Sequence, residues 1–185
     1  MAGKEKTERQ YKTVKIRQEC PSDYSEVFEL VKISFATVSD SDGTEPDYLN
    51  ELRTKDTFIP ELSLVAENDE GILIGQIVLY KTVIDTPQGE LTELLLSPIS
   101  VHPDYFRRGI ARAMVNEALR LAAGMGFRAV FLCGDPAIYE RLGFSPSYQY
   151  NIFHKSDDSR TAKWSMVREL YSGALNGISG TVDTV

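Results

Sequence analysis

The sequence is short of cysteine, of long apolar runs and of positive charge, and each shortage removes a class of function. Cys20 and Cys133 stand far apart and match no metal-ligand spacing, so the chain reads as a cytoplasmic protein with reduced thiols rather than a disulfide scaffold. No apolar run approaches the roughly 18 residues of a membrane-spanning helix, and the N-terminus is charged, without the apolar core of a secretory signal. The net charge of −7 argues against a general nucleic-acid binder, which needs a basic face to neutralise phosphates. His102 and His154 have no Cys or Ser–Asp partner at a defensible spacing, and each reads as structural or exposed. No G-x-x-x-x-G-K-[ST] occurs, and no G-x-G-x-x-G follows a strand, which removes the P-loop and the dinucleotide fingerprint.

What is there suits one globular domain: 185 residues, 42% hydrophobic and 25% charged. Residues 1–11 read as a mobile lead-in, 12–170 as the domain, and 171–185 as an extension whose composition alone is that of a disordered tail. Thr13–Arg17 alternates as a short strand, and Pro21-Ser22-Asp23 starts a helix carried by Val27, Leu30, Val31 and Ser34. A second helix is expected over Pro46–Arg53, after the turn-rich Ser39–Gly43. Leu62–Glu67 and Ile72–Ile84 flank Asn68-Asp69-Glu70-Gly71 and predict an antiparallel hairpin, in which Gly75 marks a bulge or a close approach. The turn Thr86–Gly89 returns the chain into a third strand, Leu91–Val101. Gly109–Met125 predicts the strongest helix, capped by Gly126, and Arg128–Cys133 a strand parallel to the one before it. Phe144–Phe153 and Thr161–Leu170 are expected to close the chain as a final hairpin.

Two oddities in this pattern point to chemistry. Pro98 cannot donate to a ladder, so either the strand ends at Ser97 or a bulge at Ser97-Pro98 splays it and frees backbone groups of Ile99, Ser100 and Val101 for an extended amide-bearing ligand. Arg107, Arg108 and Arg112 then crowd a helix start, where the helix dipole disfavours cations. They are either a solvated basic loop edge or the setting for a bound polyanion, with Gly109 allowing close approach and the N–H groups of Ile110 and Ala111 facing phosphate oxygens; the order of strand, Pro turn, Arg-Arg-Gly and long helix favours the second.

Val101-His102-Pro103 and Arg108-Gly109-Ile110-Ala111 resemble the V-x-P turn and R/Q-x-x-G-x-G/A loop of the GNAT acyl-CoA N-acetyltransferases, with Phe106 in place of the first Arg or Gln. Tyr139-x-x-x-Gly143-Phe144 resembles the family's second signature, while the Asn and Ala that many members carry upstream map onto Leu132 and Asp135. Gly-Asp-Pro-Ala-x-Tyr and the closing Gly173–Val182 segment resemble the YhbS-like subgroup of that family.

The resemblance implies an α/β (α+β) domain with a mixed, mostly antiparallel sheet, flanking helices and a splayed central strand pair. It implies acetyl-CoA as cosubstrate and a small-molecule or peptide amine as acceptor, with homodimers allowed and no call for a metal, nucleic acid or membrane. A thioester is already activated, so positioning and charge stabilisation would carry the rate. The resemblance makes the Val101 N–H the donor to the thioester oxygen, Tyr139 the general acid toward the departing thiolate, and Glu93 the candidate general base. A rival expectation is a degenerate domain that binds CoA or a partner without turnover, supported by Phe106 and the missing Asn.

Overall fold

The computed structural model describes residues 14–38 and 41–184. The lead-in over 1–11 lies outside the described residues, as do Thr13 of the first expected strand and Ser39 and Asp40 of the expected turn.

Strand β1 (Lys15–Gln18) leads through a single 3₁₀ turn into helix α1 (Tyr24–Phe35), and helix α2 (Glu45–Leu52) follows. Pro21 opens the first turn, where its missing N–H costs nothing, and the Asp23 carboxylate accepts from the Cys20 N–H at 2.8 Å. Strands β2 (Phe58–Glu67), β3 (Leu73–Thr86) and β4 (Gly89–Val101) form the predicted antiparallel meander. Helix α3 (Ile110–Gly124) and strand β5 (Ala129–Cys133) complete a crossover that sets β5 parallel to β4. Helix α4 (Pro136–Tyr139) is a single turn, followed by β6 (Ser145–Pro146), β7 (Ile152–His154), β8 (Ser165–Glu169) and β9 (Gly180–Val182).

The sheet runs β1-β2-β3-β4-β5-β8-β6, with β9 joining β3 and β7. Period-2 alternation sends its side chains to two cores. One face packs Ile77, Leu79, Leu94, Leu96, Val130 and Leu132 against Ile110, Met114, Val115 and Ala118 of α3. The other packs Val65, Val78, Tyr80, Leu95 and Phe131 against Val27, Leu30 and Val31 of α1 and Leu49 and Leu52 of α2. Truncating a fully buried side chain such as Met114 to Ala should cost about 2–5 kcal/mol. Gly75 answers to both readings of a strand glycine. The ladder with β2 slips by one residue beside it, and a Cβ there would lie 2.8 Å from Met114 Cε.

An ion pair pins α2 to the sheet. Arg53, the residue that caps the end of α2, meets Glu19 at 2.5 Å with both side chains almost wholly buried. Ser63 of β2 donates to the same carboxylate at 2.7 Å, and the Arg53 guanidinium lies 4.0 Å from the Tyr24 ring centroid. Every oxygen and donor engaged here has company, which is the condition under which a buried charge pair is tolerated.

The end of the chain departs from the final hairpin expected of it. The 3₁₀ turn Ser147–Tyr150 and Asn151, at φ 58°, redirect the chain after β6, so β7 pairs in parallel with β9 and never meets β8. β8 instead lies between β5 and β6. The closing segment, whose composition is that of a disordered tail, buries Leu175 and Val182 and pairs Val182 with Ile84 of β3.

Candidate active site

β4 carries one residue too many. Ile77 pairs with Ile99 and Leu79 with Leu96, so two steps on β3 face three on β4, and the bulge falls at Ser97-Pro98, whose peptide bond is cis. β4 continues past it to Val101. The parallel ladder to β5 contains only Leu94–Val130 and Leu95–Phe131, so beyond Leu95 the two strands part and leave a fork.

Antiparallel pairing decides which backbone groups face that gap. The His102 N–H donates to the Ile74 carbonyl at 2.9 Å, and hydrogen-bonded pairs alternate along an antiparallel ladder. Ser100 therefore spends its groups on Gln76 of β3, while Ile99 and Val101 turn theirs toward the gap. This corrects the expectation that all three residues are free. Of the outward groups, the Val101 carbonyl already has Ser34 Oγ of α1 at 2.9 Å, a hydroxyl that also lies 2.7 Å from the Leu30 carbonyl.

β4 runs through a 3₁₀ turn, Pro103–Tyr105, into the start of α3. Gly109 is the N-cap at φ 80°, a left-handed conformation that suits glycine, and Arg107 shares that region at φ 59°. No side chain caps this helix and its first turn has no acid, so the leading N–H groups of Ile110, Ala111 and Arg112 are open to an anion. Ile110 is buried and anchors the turn, while Arg107, Arg108 and Arg112 are exposed around it. Arg108 Nη2 donates to the Asp104 carbonyl at 2.8 Å and its guanidinium lies 4.9 Å from the Tyr105 ring centroid, which holds it close to the helix end.

Tyr139 ends α4, just beyond the tip of β5. Asp135 caps that turn, accepting from the Ala137 N–H at 2.9 Å. The Tyr139 ring packs on the α3-side core and meets Phe144 edge-on at 6.0 Å, while its hydroxyl has no hydrogen-bond partner among the described residues. Burial pushes this phenol above its ordinary pKa, so it stays protonated at neutral pH.

Glu93 is not brought to the fork. It lies on β4 below the last rung shared with β5, its side chain 1% exposed, and Oε2 accepts from the N–H groups of Arg128 at 2.8 Å and Ala129 at 3.2 Å. Burial raises its pKa against those hydrogen bonds and the nearby Arg128 guanidinium. The carboxylate thus closes the start of β5. The histidines are occupied too: His102 Nδ1 accepts from the Asp104 N–H, and buried His154 holds Thr184 and Ser156 at 2.8 Å each.

Cavities lie along the sheet among the described residues. A cavity of about 410 Å³ lies at the end remote from the fork, among Gly89, Glu90, Leu91, Arg128, Asn176 and Ile178. A second, of about 300 Å³, lies on the α1/α2 face at the level where β4 still pairs with β5, and is lined by Tyr48, Leu52, Lys55, Tyr80 and Leu95 among others.

Residues 15–147 match the family model described as an acetyltransferase (GNAT) domain. The chain belongs to the GNAT acetyltransferase family. It is 33% identical over 168 residues to the uncharacterized N-acetyltransferase YhbS of Escherichia coli K12, covering 91% of this chain and 94% of the relative. The crystal structure of E. coli YhbS in complex with CoA superposes with a TM-score of 0.79 at 29% identity, covering 94% of this chain and 91% of that one. A GNAT family acetyltransferase from Brucella melitensis in complex with acetyl-CoA gives 0.72 at 26% identity, covering 92% and 94%.

Two departures from the GNAT pattern have a visible place in the structure. Leu132, where many GNAT members carry Asn, is 1% exposed and packs in the α3-side core. Phe106 is exposed at the turn before α3. The sequence pattern singled out no polar contact on the α1/α2 face of the sheet. The structure brings Ser34 against the Val101 carbonyl and joins the Tyr48 and Tyr80 hydroxyls on that face. Tyr48 sits one helical turn after Glu45 in a segment of weak apolar pattern, which gave it no signal of its own.

Proposed function

We propose that this protein moves an acetyl group from acetyl-CoA to a primary amine by direct attack within a ternary complex. The parted edge of β4 carries the reading: Ile99 and Val101 face the gap with their backbone groups, and the uncapped start of α3 follows the same strand. The amides of pantetheine would join that edge as an added strand. The diphosphate would meet the N–H groups of Ile110, Ala111 and Arg112, with Gly109 clearing the approach and Arg107, Arg108 and Arg112 supplying charge.

In the transfer step the amine nitrogen forms a bond to the thioester carbonyl carbon and the carbon–sulfur bond breaks. The Val101 N–H is aimed into the gap and donates to the carbonyl oxygen as charge develops there. The departing thiolate takes the proton of the Tyr139 hydroxyl, which burial keeps in place until then, and the tyrosine recovers it from solvent. The proton lost by the amine leaves on the acceptor side. Glu93 has no part in this scheme, because its carboxylate is committed to the start of β5.

Release of free CoA thiol, followed against polyamines, amino acids, aminoglycosides and peptides with free N-termini or lysines, tests the proposal. Turnover above hydrolysis is expected for at least one of these classes. Calorimetric binding of acetyl-CoA with no turnover across the whole panel would make the protein a binding module instead.

A further inference from the structure

The closing segment around Asn176 has no part in the fork, and it walls the cavity of about 410 Å³ at the opposite end of β4. Stretches far apart in sequence meet there: the β3–β4 turn, Arg128 just before β5, and the closing segment itself. Backbone hydrogen bonds hold that segment in shape. The Asn176 N–H donates to the Gly173 carbonyl at 3.1 Å, the Ile178 N–H to the Leu175 carbonyl at 3.1 Å, and the Leu175 N–H to Glu169 Oε1 at 2.8 Å. The space that a side chain at 173 would need is filled by the Asn176 amide, since a Cβ there would lie 2.7 Å from Asn176 Nδ2.

Donors on this wall are unused. Among the described residues, the side-chain amides of Gln88 and Asn176 and the Gly177 N–H, all of which line the cavity, have no acceptor. Arg128 adds charge to them. Its Nη1 stands 3.5 Å from Oε1 of buried Glu93, whose Oε2 is taken by two backbone N–H groups, and its own side chain is 42% exposed. That contact fixes one corner of the guanidinium and leaves Nε and Nη2 without a partner among the described residues. An arginine presents its donors in a plane that matches a carboxylate with two parallel hydrogen bonds, so the guanidinium is held in place with its pairing edge empty.

The remaining lining narrows the chemistry. Glu90 is the one acid among the described lining residues, and it lies in the field of Lys155. Leu91, Ala174 and Ile178 give the cavity an apolar flank. Its volume falls within the range of about 300–1,000 Å³ usual for small-molecule sites, and the pairing of an apolar flank with a few polar groups is their usual lining.

We propose that this cavity is a second ligand site, separate from that of the cosubstrate, and that it takes a small organic carboxylate. Arg128 pairs with the carboxylate through Nε and Nη2, the Asn176 amide and the Gly177 N–H take a further polar group, and the carbon skeleton lies against Leu91 and Ile178. The site does not rest on the transferase reading, because its lining sits at the end of β4 away from the parted strands.

The probes are benzoate and glutarate, with benzamide as the neutral isostere of benzoate and inorganic phosphate as a second control, each titrated into the protein by ligand-observed NMR. At least one carboxylate is expected to bind in the millimolar range or tighter, and Arg128→Gln is expected to weaken it by about tenfold to a hundredfold. Acetyl-CoA affinity, read by calorimetry, is expected to be the same in Arg128→Gln as in the unsubstituted protein. Failure of both carboxylates to bind overturns the site, and so does binding that is indifferent to Arg128→Gln. Benzamide binding as tightly as benzoate, or phosphate as tightly as either carboxylate, overturns the carboxylate assignment. A loss of acetyl-CoA affinity in folded Arg128→Gln overturns the separation of the two sites. If Arg128→Gln does not fold, Asn176→Leu, which leaves the contact between Arg128 and Glu93 in place, is expected to weaken the carboxylate severalfold, and unchanged affinity there also overturns the site.

Discussion

The Tyr139 ring lies flat against Gly134: a Cβ at position 134 would stand 2.2 Å from Tyr139 Cε2 and 2.6 Å from Cδ2. Glycine just past the end of β5 is thus what lets the phenol pack there, and the two residues act as one unit. Tyr139→Phe keeps the ring and removes only the hydroxyl. Turnover is expected to fall by about a hundredfold, the low end for general acid catalysis because a thiolate leaves fairly well unaided, while acetyl-CoA affinity changes little. Gly134→Ala is expected to lower turnover as well, by displacing the ring. Steady-state kinetics beside calorimetry checks both, and wild-type turnover in Tyr139→Phe would remove the hydroxyl from the mechanism.

Arg108 is held beside the start of α3 by the Asp104 carbonyl and the Tyr105 ring. Replacing it with Glu puts repulsion where the diphosphate should sit, and acetyl-CoA binding is expected to weaken about tenfold or more. The effect should shrink as salt is raised, since the site is exposed. Unchanged affinity in a folded variant would make the arginines a solvated loop edge.

Glu93→Ala separates support from catalysis. Removing the carboxylate leaves the N–H groups of Arg128 and Ala129 without their acceptor, so stability should drop by about 1–3 kcal/mol. Turnover per folded molecule is expected to stay near that of the unsubstituted protein. A loss of kcat without a loss of stability would restore Glu93 as the base.

Acid should loosen the N-terminal corner. Hydrogen bonds from the Arg17 guanidinium hold Asp23 well below the usual carboxylate range, and they lower Glu67 in the same way. A depressed carboxylate contributes stability that is fully present above its unfolded pKa of about 4 and disappears as pH falls through the folded value. The melting temperature is therefore expected to decline from about pH 4 downward. In Asp23→Asn it should be lower at neutral pH and decline less steeply in acid.

Much of the architecture is legible in the residue pattern, because its cues are local. The Asn68–Gly71 turn, the Pro21 helix start and the amphipathic run of α3 each depend on neighbours in sequence, and Pro98 announces the bulge by the donor it lacks. What fails depends on pairing partners far away. Phe144–Phe153 alternates as a strand should, yet the left-handed Asn151 turns β7 toward β9 instead of β8. Gly173–Val182 looks unstructured by composition, and its order comes from Ile84 and His154, which no local pattern reveals. The site divides along the same line. Helix start, arginines and tyrosine are contiguous motifs, whereas the surroundings of Glu93 depend on the level at which β5 begins. The contacts of Ser34 and Tyr48 exist only when two helices settle on one sheet face.

The alternation along Ile99, Ser100 and Val101 gives neighbouring amides different histories. The Ser100 N–H is spent inside the β3–β4 ladder, so its exchange with solvent deuterium should need the ladder to open. The N–H groups of Ile99 and Val101 face the gap, and only an occupant can slow them. A bound strand-like ligand would then appear as two newly protected amides bracketing one that was already slow. That stripe, one residue on and one residue off, would report occupancy of the fork without any assay of the reaction.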